Sequence, residues 1–96
     1  MNDTMNENYS SRQVRYIRDA SRVLGRLDRQ TARRIHEKID QLAVDPAALA
    51  NNVSVLKGGS GLMRLRVGGW RVIYRNDRDV LLVLKIAPRG SAYDRG

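Results

Sequence analysis

The 96-residue chain has no cysteine. That excludes disulfides and thiolate metal ligands, and it permits a reducing compartment. One histidine, His36, leaves little material for a transition-metal site or a His-based triad. No apolar run is long enough to span a bilayer, and the first residues, MNDTMNENYSS, lack the apolar stretch of a signal peptide. The expected location is cytoplasmic, with no membrane partner. Acidic residues are also scarce, 10 against 18 Lys and Arg, for a net charge of +8. Two-carboxylate mechanisms therefore lack their carboxylates in any basic cleft. There are no internal repeats or low-complexity tracts, and a chain of this length makes one small domain, burying roughly 60–65% of its unfolded surface.

What the chain has is positive charge, unevenly placed. Up to Leu56 it carries 9 basic and 7 acidic residues; from Lys57 onward, 9 basic and 3 acidic. A field of that sign steers a protein toward polyanions, most often nucleic acid, and it suits an acidic protein partner equally.

The most informative stretch is LMRLRVGGWRVIYR, Leu62 to Arg75. Two alternating runs joined by Gly68-Gly69 predict a β-hairpin with a two-residue connection. Val67 then faces Trp70, Arg66 faces Arg71, Leu65 faces Val72 and Arg64 faces Ile73. Met63, Leu65, Val67, Trp70, Val72 and Tyr74 share a core face, while Leu62, Arg64, Arg66, Arg71, Ile73 and Arg75 share the other. Like charges directly opposite on a sheet are destabilising, so the arginines need a reason. Either carboxylates arrive from elsewhere in the fold, or the patch is an anion site. Arginine suits forked contact with phosphate, which favours the second reading.

Taken in order, residues 1–11 read as a disordered leader and 12–96 as a single domain. Arg12 to Ile17 alternates as a first strand. Asp19 is the expected N-cap of a helix with Ala20, Val23, Leu24 and Leu27 on one face, and Asp28 of a second with Ala32, Ile35, Ile39 and Leu42 as its stripe. Asp45-Pro46 ends that helix, since proline disfavours helical geometry in the residue before it. His36 beside the stripe reads as a half-buried or surface residue without chemistry. Pro46 to Asn52 is a loop, with room for a helical turn in AALA, and Val53 to Leu56 a short strand. Lys57-Gly58-Gly59-Ser60-Gly61 reads as a basic turn; it is not a phosphate loop, because a strand rather than a helix follows. Asn76 to Asp79 is expected to form a second turn. Val80 to Ile86, apolar on both faces, reads as an interior strand that Pro88 takes out of the ladder. The fold class is α+β: an N-terminal strand and an αα-hairpin packed on one face of an antiparallel β-sheet, in the order β-α-α-β-β-β. The arginines point from the uncovered face. Whether Leu82 and Leu84 or Leu81 and Val83 join them depends on the length of the second turn.

A surface of Arg, Lys and Tyr still suffices to cleave RNA. The ribose 2′-OH is a built-in nucleophile, so the protein need only align it, offset charge on the phosphorane and manage protons. Arg or aromatic planes also stack on an extruded base.

The αα-hairpin, then VLKGGSGLMRLRVGGWRVIYR, then LLVLKIAPRGSAY, resembles the RelE/ParE superfamily of toxins from type II toxin–antitoxin systems over about residues 12 to 95. Its pattern is an L-K-G turn, an R-L-R-x-G-x-[YW]-R-[VL]-[IV]-Y hairpin and a terminal [IV]-G-x-R-x-x-x-Y. The resemblance implies a RelE-like domain and, on the RelE branch, a metal-independent, cofactor-free endoribonuclease that cuts mRNA on the ribosome by 2′-OH attack. It implies a cognate antitoxin as partner. Arg71 matches the arginine that contacts the scissile phosphate, Arg89 the terminal arginine at the leaving group, and Tyr93 the terminal tyrosine that stacks or shares in proton transfer. Arg64 and Arg66 match basic positions on the first hairpin strand, and Lys57 one in the preceding turn; Arg75 joins them as an RNA-binding residue. Leu62, Pro88 and Gly90 depart from the pattern, each at a place where members carry lysine, glycine or histidine, and arginine respectively. The ParE branch instead poisons DNA gyrase and generally lacks the full set; Arg71, Arg89 and Tyr93 favour RelE.

Overall fold

The computed structural model describes residues 11–58 and 60–90, so all but the last residue of the expected 1–11 leader, Gly59 and residues 91–96 with Tyr93 lie outside it. Strand β1 is Gln13–Tyr16, helix α1 Arg18–Arg26 and helix α2 Arg29–Val44. A 3-10 segment, Pro46–Asn52, leads into β2 (Val53–Val55), β3 (Leu62–Val67), β4 (Trp70–Asp77) and β5 (Val80–Pro88). The sheet order is β1-β5-β4-β3-β2.

Most of this follows from local chemistry. In α2 the Asp28 side chain accepts a hydrogen bond from the Thr31 amide at 3.1 Å, satisfying one of the donors a helix start leaves over. That bond holds the Asp28 carboxyl below its usual range. At the other end Asp45 leaves helical geometry at φ −141°, ψ 75°, directly before Pro46. Ile35, Ile39 and Leu42 are buried as the spacing requires, Ala43 joins them, and Ala20 and Leu24 do the same on α1. α1 packs on β5 and α2 on β1 and β3. The core lies between these helices and the sheet face that carries Leu65, Val67, Val72, Tyr74, Leu81, Val83 and Ile86.

The hairpin register is the expected one: Val67 pairs with Trp70, Arg66 with Arg71, Leu65 with Val72 and Arg64 with Ile73. Gly68 takes φ +58° and Gly69 does not share the positive φ, the pattern of a II′ turn with glycine at the first central position.

Several expectations need correction. Asp19 does not cap α1. The helix starts two residues earlier, with Ile17 at the cap and no side-chain bond there, and Asp19 instead pairs with Arg22 at 3.7 Å. The sheet is mixed rather than wholly antiparallel, because β1 joins it beside β5 in parallel. The second turn is only Arg78-Asp79, closing Asp77 on Val80. Pro88 stays in the ladder, opposite Trp70. The next residue, Arg89, donates its amide to the Gly69 carbonyl at 2.7 Å, so the nitrogen of Pro88 faces the β1 side. β1 has already ended opposite Val83, so the missing N–H costs no ladder bond.

A register shift at Ile73/Tyr74 settles the faces of β5. Val83 sits opposite Tyr74 but Lys85 opposite Ile73, so Leu84 is the extra residue of a β-bulge. Leu81 and Val83 therefore belong to the core, and Leu82 and Leu84, half-buried, to the arginine face.

Candidate RNA-binding face

β-Strand alternation along β3 and β4 places Arg64, Arg66, Arg71 and Arg75 on the side away from the helices. β4 is the middle strand, and the four are unequal in exposure. Arg71, directly between its neighbours on β3 and β5, is only 7% exposed, with Nε and Nη1 shielded from solvent. Ile73 and Ala87 beside it are buried too, at 7% and 8%. The face expected to be uncovered thus has a closed centre, and Arg71 is not at an open surface. Arg64 is half-buried and donates from Nη2 to the Ser54 hydroxyl at 2.7 Å, across the β2–β3 pair. Arg66 and Arg75 are exposed.

Seven of the eight described cations on or beside this side form a band; the eighth, Arg15, is exposed at the far edge on β1, paired with Leu82. Arg66, Arg71 and Arg89 lie at the Gly68-Gly69 end, where the Arg89 amide is tied to Gly69. Lys57 follows β2 at the opposite end, near Leu62, which pairs with Arg75. Five residue steps separate the ends of β3, roughly 17 Å. The seventh cation, Lys85, is exposed opposite Ile73 and escaped the sequence argument, because only the bulge assigns its side. A period-2 reading of VLLVLKI has no mark for the extra residue. Among the described residues no carboxylate pairs with Arg66, Arg75, Lys85 or Arg89. Tyr93 falls outside the described residues. His36 is exposed, its Nδ1 3.0 Å from the Tyr16 hydroxyl on the far side of α2, and takes no part in the band. Among the described residues no cluster of His, Cys, Asp or Glu is placed to hold a metal ion, and no helix is long and apolar enough to cross a membrane.

Chemically, the band offers forked donors over a length greater than one phosphodiester, with one guanidinium held in a site of low dielectric, where its field is least screened. Fold and face together define a small α+β protein with a basic sheet surface suited to anions. The chain belongs to the RelE/ParE superfamily: the family model of the ParE toxin of the type II toxin–antitoxin system, parDE, matches residues 11–93. It is a type II toxin, and its 31% identity to an archaeal RelE favours the RelE side. It is similar to the archaeal RelE–RelB complex from Pyrococcus horikoshii, at 31% identity and TM-score 0.71, over 85% of this chain and 99% of that one. It shares its fold with the intact RelBE toxin–antitoxin complex of Escherichia coli, at 17% identity and TM-score 0.64, over 81% and 96%. A mutant of E. coli RelE in the free state matches at 18% identity and TM-score 0.65, over 88% of each chain. The comparison with curated proteins finds no match.

Proposed function

We propose that this toxin is a ribosome-dependent mRNA endoribonuclease that acts in the cytoplasm, cleaves by attack of the ribose 2′-OH and so blocks translation. The observation that carries the reading is the pairing of Arg66 with Arg71 on one sheet face, with Arg89 fastened beside the same turn. In this reading Arg71 and Arg64 offset charge on the phosphorane, Arg89 serves the leaving oxygen, and Tyr93 stacks on the base or shares in proton transfer. Lys57, Arg66 and Arg75 hold the RNA along the band. Because Arg71 is buried in the free chain, its charge acts in this reading from a site of low dielectric, where it is least screened.

A second reading, inhibition of DNA gyrase without nuclease activity, is supported by the family model, which is that of a ParE toxin. The partner in either case is a cognate antitoxin. The archaeal and E. coli relatives are complexes with one, and an acidic or amphipathic segment complements a +8 chain.

The experiment is induction in cells with primer-extension mapping of mRNA ends. New ends within translated frames, lost in Arg89→Ala and in Arg71→Lys, support the nuclease. Arg71→Lys keeps the charge but not the fork, and retained antitoxin binding shows that the variant folds. Intact mRNA with induction of the DNA-damage response assigns the toxin to gyrase.

A further inference from the structure

A second basic feature lies on the helix side of the hairpin tip. β2 reaches only to Val53, opposite Leu65, and β3 runs on past it to Val67. The notch this leaves is a small pocket with Leu49, Leu65 and Val67 as its apolar floor. Arg34 and Lys38, one turn apart on α2, line it with Asn52, Arg66 and Gly68. Arg34 lies close over the turn: a β-carbon at Gly68 would stand 3.8 Å from its Nη1. No carboxylate lines the pocket, and among the described residues none pairs with Arg34, Lys38 or Arg66. Cations spaced i, i+4 repel one another, so a helix gains nothing by itself from Arg34 above Lys38.

We propose that this notch binds one phosphate group of an RNA backbone, outside the band on the opposite face; the proposal rests on the RNA-binding part of the function above. Three cations and the Asn52 amide surround a space with an apolar floor, and a phosphate has both more charge and more acceptor oxygens than a carboxylate with which to meet them. Arg66 belongs to both surfaces, so a strand held along the band passes over the free edge of β3 into the notch. Gly68 leaves that passage without a side chain.

The test uses the full chain and a 2′-O-methylated, uncleavable RNA oligonucleotide. Its affinity is followed by fluorescence anisotropy across a NaCl series. The Arg34→Gln/Lys38→Gln variant should bind about tenfold more weakly near 0.1 M salt, and the slope of log K against log salt should fall by about 0.7, the value for the loss of one phosphate contact. The Arg22→Gln/Arg26→Gln variant on α1 makes the same change in net charge and should keep the wild-type slope. An unchanged slope in the first variant, or an equal fall in the second, overturns the proposal. So does an unchanged RNA slope with weakened antitoxin binding, which would make the notch a seat for an acidic segment. Since the measurement needs no cleavage, a fallen slope without mRNA cutting keeps the notch and removes the nuclease. Cutting with an unmoved slope does the reverse.

Discussion

Tyr16 shows how far a single residue is shaped by its place. It ends β1, half-buried against α2, with its ring 5.4 Å from that of His36 and its hydroxyl 3.0 Å from Nδ1. Burial, with the Asp40 carboxylate adding to it, pushes the phenol up to about 12 from its ordinary 10.0. Folding therefore favours the neutral form. An unfolded chain ionises this tyrosine from about pH 10, so its contribution to stability is complete below that pH and is lost as the pH climbs toward 12. Tyr74 is raised by burial too, with the Arg12 guanidinium opposing. Urea denaturation at pH 9 and at pH 11 should show wild-type stability falling across this window and Tyr16→Phe falling less, with Tyr74 supplying the remainder. Equal losses in the two proteins would place Tyr16 in water. Nothing in the one-dimensional pattern marks these shifts. The alternation of Arg12 to Ile17 names a strand, but what covers Tyr16 is a helix some twenty residues on.

At the scale of elements, legibility depended on whether the determining contact was local. Asp28 reaches a backbone amide three residues away, and Gly68-Gly69 closes its hairpin directly, so α2 and the β3–β4 register could be read off the chain. The parallel pairing of β1 with β5 joins Gln13 to Val80, and the bulge at Leu84 sits in a run apolar on both sides. Neither leaves a local trace. The burial of Arg71 has no local trace either: Arg75, on the same strand and the same face, is exposed, so chain alternation alone does not tell the two apart. The helix stripe, by contrast, carries a quantitative expectation. Ile39 is fully buried in α2, whereas Val44, at the end of the same helix, is 54% exposed. Ile39→Ala should lower unfolding free energy by about 2–5 kcal/mol through lost transfer energy and the cavity left behind. Val44→Ala should change it by about 0.5 kcal/mol or less. Chemical denaturation of the two variants measures the contrast directly, and comparable values would mean that α2 does not anchor the core.

For the whole molecule the question is whether the basic field is a cost to the fold. A chain with net charge +8, most of whose excess lies after Leu56, repels itself wherever its own carboxylates do not intervene. Arg66, Arg75, Lys85 and Arg89 on the sheet face, and Arg34 and Lys38 at the notch, lack carboxylate partners among the described residues. Such an arrangement is explained if an anionic partner relieves it, since anything that binds only the folded state stabilises it by mass action. Simple salt should mimic part of that relief. Between 0.01 and 0.1 M NaCl the screening length shortens from about 30 to about 10 Å, which is within the spread of these charges. The Tm of the isolated toxin should therefore rise by several degrees over that range, as followed by scanning calorimetry. A short uncleavable RNA should raise it further at fixed ionic strength, because it adds specific contacts to screening. A Tm that stays flat or falls with salt would mean that the field is already balanced within the chain. The arginines of β3 and β4 would then be ordinary solvated residues, and the case for a nucleic-acid surface would lose its physical basis.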